Sequence, residues 1–288
     1  MTPARALYKL APMNGVPLWV RGLVTSSKAI DFLKIGQAML RDDLLYAYLT
    51  PDERAEITQR LYDADSSYFP GGKVADGLHA FEEEALAQPG MPRAGRVLIG
   101  GAGAGRETRA LVSRGFSVFA FEPAELFHSE LEKTARASGG KVQAARAAYA
   151  DLIEAADGRG ALAAARSLDF SLVITGWGSL LHLPERETQD ALMRAIRSLA
   201  PEAPVLLSVN VRGPWSAPKT RWDPVRARWA AAIERLGGRH RPDGAYFDAM
   251  CGFAYSYTED DVVRLARVGG YRVERLETTW QLFYPEAR

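Results

Sequence analysis

The sequence predicts an α/β protein organised on a parallel sheet, and three observations predict it. Arg96-Val97-Leu98-Ile99 run straight into a glycine cluster, Gly101, Gly103 and Gly105, and helical spacing starts at Thr108. That is buried strand, tight turn, helix. Ser117–Phe121 is a second short apolar strand, and it ends in Glu122. Further on, a helix over 185–199 lies between the apolar stretches 168–175 and 204–210, the alternation expected of crossover-connected strands. Glycines at alternate positions let the backbone turn sharply and let a ligand reach main-chain atoms. An acid at the tip of the second strand suits the two hydroxyls of a ribose. Together these features point to a nucleoside-containing ligand.

The elements follow in order. Residues 1–40 hold five basic residues (Arg5, Lys9, Arg21, Lys28, Lys34) against Asp31, and 16–23 are apolar enough to cover a pocket or touch a membrane. The spacing of Ile30, Leu33, Leu40 and Leu44, widened by Phe32, Ile35 and Met39, predicts a helix over 29–48. A second helix is expected over 53–62 after Thr50-Pro51. Ser66–Gly72 breaks the helical pattern and reads as a mobile loop or hinge, on which Tyr68 and Phe69 are either packed locally or candidates to contact a ligand. A helix over 78–87 then leads into the first strand.

Past Glu122, a helix is expected over 124–138 and a strand over 141–145. Asp151 is either a ligand contact after that strand or a helix cap before Leu152. The stretch Gly176-Trp177-Gly178-Ser179-Leu180-Leu181-His182 follows the next strand, at the carboxyl edge where open α/β sheets bind ligands. Trp177 offers a flat stacking surface, and Ser179 and His182 could orient or deprotonate a nucleophile. The segment 212–257 is an insertion rich in aromatic residues, Trp215 and Tyr255 among them. Between 212 and 241 it carries eight basic residues, beginning with Arg212, against Asp223 and Glu234. Its helix is expected from Asp223-Pro224, with Val225, Trp229, Ile233 and Leu236 on one face. Two closely joined strands over 271–277 and 279–284 end the chain.

Composition narrows the function. A net charge of +1 gives no field for nucleic acid or a membrane surface. The one cysteine, Cys251, forms no intramolecular disulfide, and no Cys/His spacing suggests a metal site. No apolar run is long enough to span a membrane and no leader is evident, so a cytoplasmic protein is expected.

A dinucleotide fingerprint would need a small residue six positions into the glycine turn, where Arg106 stands. The arrangement instead resembles class I S-adenosylmethionine-dependent methyltransferases, whose loop reads G-x-G-x-G with an acid after the second strand. Leu168–Thr175, Pro204–Asn210 and Thr258–Val273 resemble that family's fourth strand, fifth strand, and last helix with sixth strand, so the likeness covers about residues 80–288. It implies a Rossmann-like seven-stranded sheet with helices on both faces and a terminal antiparallel hairpin, preceded here by an N-terminal helical cap over 1–80. The core would span 81–288, with a substrate-lid insertion at about 212–257.

The resemblance also implies S-adenosyl-L-methionine as cofactor. Its contacts would fall on Gly101, Ala102, Gly103, Gly105, Glu122, Pro123, Asp151, Gly176 and Trp177. The small substrate, anionic or aromatic, would meet Tyr68, Trp177, Ser179, Arg212, Trp215 and Tyr255, with His182 as base. Where the family commonly has an acid two residues before the first glycine, helping to place the methionine end of the cofactor, this chain has Ile99. A homodimer is compatible with this reading. The rivals are a nicotinamide-dependent oxidoreductase, and a non-catalytic nucleoside-binding module that serves a partner protein.

Overall fold

A computed structural model describes residues 17–65, 67, 69, 77–211 and 223–286. Its helices are α1 (Leu18–Tyr48), α2 (Pro51–Asp63), α3 (Ala80–Ala87), α4 (Arg106–Ser113), α5 (Glu125–Ala137), α6 (Tyr149–Ala155), α7 (Arg186–Leu199), α8 (Asp223–Arg235) and α9 (Glu259–Gly269). Its strands are β1 (Arg96–Gly100), β2 (Ser117–Phe121), β3 (Val142–Ala145), β4 (Leu172–Thr175), β5 (Val205–Leu207), β6 (Ala245–Asp248), β7 (Gly252–Tyr255), β8 (Tyr271–Leu276) and β9 (Gln281–Pro285). Seven of them form one sheet in the order β3-β2-β1-β4-β5-β9-β8. The first five are mutually parallel, and β9 runs antiparallel between β5 and β8. β6 and β7 make a separate two-stranded sheet.

The strands are apolar because both sheet faces are covered. Val97 and Ile99 enter one core with Val118, Ala120, Leu172 and Ile174, joined by Leu86, Leu111 and Leu131 from α3, α4 and α5. Leu98, Phe119 and Val173 alternate to the opposite face. Each fully buried aliphatic side chain contributes roughly 1.5–3 kcal/mol relative to exposure. The amphipathic α7 packs beside both α6 and α9 and buries Leu192, Met193 and Ile196. The last helix starts on a capping box, in which Thr258 Oγ1 accepts from the Asp261 N–H (3.1 Å) while Asp261 accepts from the Thr258 N–H (3.0 Å).

Two compact units emerge: residues 51–214 with 247–288, which hold the sheet, and residues 1–50 with 215–246. The division after Thr50 differs from the expected boundary at 80. The reason is that α2 packs on β7 and α5, where Gly252 comes so close to Thr58 that a Cβ there would lie 2.5 Å from its hydroxyl.

In the other unit, α1 begins eleven residues earlier than its predicted start at 29. Its expected apolar face is not its buried one. Ile30, Leu33 and Leu44 are exposed, while Asp43, Tyr46 and Ala47 are buried. Asp43 accepts from Arg241 Nε at 2.5 Å, and Tyr46 reaches the Tyr246 carbonyl. Of the predicted α8 face, Ile233 is buried and Val225 and Leu236 are exposed. The long polar partners, rather than periodicity, settle which side faces inward.

No helix of the described residues is long and apolar enough to cross a membrane. Among the same residues no group of three or more His, Cys, Asp or Glu could hold a metal ion.

Candidate active site

The strand order reverses direction between β1 and β4, so the loops after them diverge and leave a crevice at the carboxyl edge. A cavity of about 380 Å³ lies there, bordered by the β1 loop, the β2 tip, the β4 loop and α2.

The floor is a close meeting of two backbones. The Gly176 N–H donates to the Gly100 carbonyl at 2.7 Å. A Cβ on Gly176 would fall 2.0 Å from the Gly101 oxygen, so only glycine allows this approach. Gly101 has φ +64° and faces Ser179, whose Cβ would stand 2.3 Å from an added methyl. Tyr149 closes the floor: its hydroxyl donates to the Gly100 carbonyl (2.9 Å) and lies 2.6 Å from Ser179 Oγ. Ser179 thus lines the cavity with its hydroxyl already engaged.

Gly103 plays a different part. It has φ +53°, and a Cβ built on it meets nothing within 4 Å. It borders the cavity, and its N–H donates to Glu122 Oε2 at 2.8 Å. The other Glu122 oxygen accepts from the Ala124 N–H at 3.0 Å. Burial nonetheless pushes the Glu122 carboxyl up to about 7, against the pull of those two amides. A buried carboxylate on a strand tip beside an uncovered glycine turn fits a ribose, whose hydroxyls would supply the donors that burial has removed.

Opposite stands α2, whose Arg54, Ala55, Thr58, Gln59 and Tyr62 border the cavity at i, i+1, i+4, i+5 and i+8. Arg54 pairs with Glu185. The Tyr62 hydroxyl lies 2.9 Å from His182 Nε2, and His182 Nδ1 lies 2.7 Å from the Phe253 carbonyl. A carbonyl only accepts, so Nδ1 carries the ring proton and Nε2 accepts from Tyr62. Burial holds the His182 imidazole below its usual range, which keeps it neutral.

The expected site residues therefore divide. Gly101, Ala102, Gly103, Glu122, Pro123, Trp177, Ser179 and His182 all border the cavity. Gly105 caps α4 at φ +83° and faces Leu131, and Gly176 serves the backbone contact beneath. Asp151 reaches back to the Ala148 N–H at 2.8 Å, so its carboxylate starts α6 instead of facing the cavity. Tyr255 is a core residue: it is buried on β7 with its hydroxyl on Asp261 (3.2 Å). Tyr68, Arg212 and Trp215 lie outside the described residues.

Among the bordering residues that the sequence did not single out are Tyr62 and Glu107. Tyr149, whose place beside Asp151 would let it flank a ligand ring, instead braces the floor. Trp177 is half exposed, its ring centre 4.7 Å from that of His79.

No family model matches the chain, and neither does any curated protein sequence. Among solved structures, a 1,6-didemethyltoxoflavin N1-methyltransferase of Burkholderia thailandensis, with bound 1,6-didemethyltoxoflavin and S-adenosylhomocysteine, matches at TM-score 0.50. Identity is 18%, over 83% of this chain and 92% of that one. A glycopeptide N-methyltransferase complexed with sinefungin (TM-score 0.47, 19% identity, 75% and 89% covered) is a looser match. So is an S-adenosylmethionine-dependent methyltransferase of Clostridium acetobutylicum (0.48, 12%, 72% and 90%). Neither looser match adds an argument. The first shows the fold: this chain has the α/β, Rossmann-like fold of class I S-adenosylmethionine-dependent methyltransferases, antiparallel closing strand included.

Proposed function

We propose that this protein is an S-adenosylmethionine-dependent methyltransferase acting on a small molecule. The observation that carries the reading is Glu122, a buried carboxylate bonded to the Gly103 N–H at the mouth of an uncovered glycine turn. When bound, the cofactor supplies an electrophilic methyl group on sulfur. The protein's task is then to hold the acceptor in line with it and keep water out. Glu122 and Gly103 would hold the ribose, with Pro123 and Trp177 flanking. An S-adenosylmethionine sulfonium is cationic, which suits a cavity bordered by Asp52, Glu107, Glu122 and Glu185, with Arg54 and Arg106 each paired to a carboxylate.

The acceptor would lie between Trp177 and the Tyr62–His182 pair. An O–H or N–H acceptor gives up its proton as the new bond to methyl forms. Neutral His182 can take it at Nε2 through Tyr62, which passes its own proton on and takes the acceptor's. A carboxylate acceptor needs neither. The cavity volume falls in the small-molecule range, roughly 300–1,000 Å³. Aromatic acceptors fit the Trp177 and Phe127 surfaces that border the cavity. A cytoplasmic location accords with this reading.

The oxidoreductase alternative is disfavoured by topology, since a dinucleotide-binding sheet continues in parallel where β9 here runs antiparallel. The test is transfer of a labelled methyl group from S-adenosylmethionine to a panel of phenols, aromatic acids and amines. Label in a small product supports the reading. Tight cofactor binding with no transfer to any acceptor favours the non-catalytic module.

A further inference from the structure

Beside the glycine turn lies a buried cluster of one guanidinium and two carboxyl groups. Arg106 donates to both oxygens of Glu82 and to Glu107 Oε1, each at 2.7 Å. All three residues are buried, so one guanidinium faces two carboxylates out of reach of water. Burial pushes the Glu107 carboxyl up, ahead of the opposing pull of Arg106, so its ionised form is costly unless a further cation matches it. His79, just before α3, is held below its usual range, first by burial and then by Arg106, and does not supply that cation.

Glu107 borders the cavity while Glu82 does not. The Trp177 backbone N–H points at the same Glu107 oxygen that Arg106 holds, at 3.4 Å. Glu107 is therefore fixed next to the β4 loop, whereas Glu122 stands on the β2 tip, across β1. Two strand spacings separate those tips, about 9.5 Å. A nucleoside held at Glu122 and laid across the glycine turn would end its 5′ substituent beside Glu107. Position 99 cannot serve that end, because the Ile99 side chain is fully buried in the core beneath the sheet.

We propose that Glu107 recognises the α-ammonium of the cofactor's amino-acid end, as the anionic wall of a subsite completed by Trp177. The proposal rests on the cofactor reading above. Among the described residues Arg106 is the one cation paired with Glu82 and Glu107, and the proposal predicts that the cofactor's ammonium supplies a second.

Calorimetry with S-adenosylhomocysteine and 5′-methylthioadenosine, which lacks the amino-acid end, separates the outcomes. Glu107→Gln should weaken S-adenosylhomocysteine at least ~10-fold, the low end for removing one member of a buried charge pair, and leave methylthioadenosine unchanged. Equal losses for both ligands would make Glu107 a brace of the loop, and no loss for either would remove it from the site; each result overturns the proposal. Should Glu107→Gln fail to fold, the wild type gives a second test. The analogue of S-adenosylhomocysteine without its amino group should bind at least ~10-fold more weakly than the parent, and equal affinity would overturn the proposal. Failure of the wild type to bind either nucleoside would instead sink the cofactor reading itself.

Discussion

Raising the pH from 6 to 8 should tighten S-adenosylhomocysteine binding about tenfold, with Glu122 as the cause. Ribose hydroxyls donate to a carboxylate, so the ionised form is the one that binds. With the Glu122 carboxyl pushed up to about 7 by burial, roughly a tenth of the free protein is ionised at pH 6 and roughly nine tenths at pH 8. The ratio of those fractions is the expected change in Kd. The ligand's own carboxylate, ammonium and adenine titrate outside that window. Glu122→Gln keeps the size and one acceptor but cannot ionise, so its affinity should be weaker and flat across the range. Calorimetric titration at four or five pH values is the assay. A flat wild-type profile would refute the reasoning, as would a slope that survives in Glu122→Gln. The same shift has the opposite sign for the free protein. Between about 4.5 and about 7 the folded chain keeps a proton that the unfolded chain has lost, so unliganded stability declines as pH rises through that window.

Three further outcomes follow from the site. Gly176→Ala puts a methyl 2.0 Å from the Gly101 carbonyl oxygen, and should cost roughly 3 kcal/mol in urea unfolding, at the upper end for overpacking a site that cannot relax. An unchanged midpoint would mean the two loops are not held together as described. Tyr62→Phe removes the donor to His182 Nε2 and leaves a buried acceptor unmatched, at a cost of about 1–3 kcal/mol. In the wild type, imidazole NMR should show His182 still neutral below its ordinary pKa, with stability falling as pH drops because only the unfolded chain takes up the proton. A His182 that titrates at or above its ordinary value would contradict its burial.

What could be read from the sequence was local. The run Arg96–Gly105 encodes a strand and a turn through adjacent residues, and Glu122 follows its own strand by one position, so both were legible without knowing the rest. Contacts that only folding creates were not. Tyr255 looked like a ligand contact in an aromatic segment, but it is buried on β7 with its hydroxyl on Asp261 in the first turn of α9. Asp151 offered two uses, and the distance to its own helix start decided between them. Tyr62 comes sixty residues before the second strand tip, on a helix whose cavity stripe of Arg54, Thr58, Gln59 and Tyr62 is polar. A search for apolar periodicity passes over such a stripe, although its i, i+4 spacing is present in the sequence. Glu107 was hidden by position, since an acid in the first turn of a helix reads as a dipole partner until Arg106 and Trp177 are seen around it.

The central claim is that the glycine turn and Glu122 hold S-adenosylmethionine. The most direct test is calorimetric titration of S-adenosylhomocysteine, with NADH as control, into the wild type and Glu122→Ala. Micromolar binding of S-adenosylhomocysteine, at least ~10-fold weaker in the variant, with no heat from NADH, is the predicted result. NADH binding with no response to S-adenosylhomocysteine would contradict the account and turn the same crevice into a nicotinamide site.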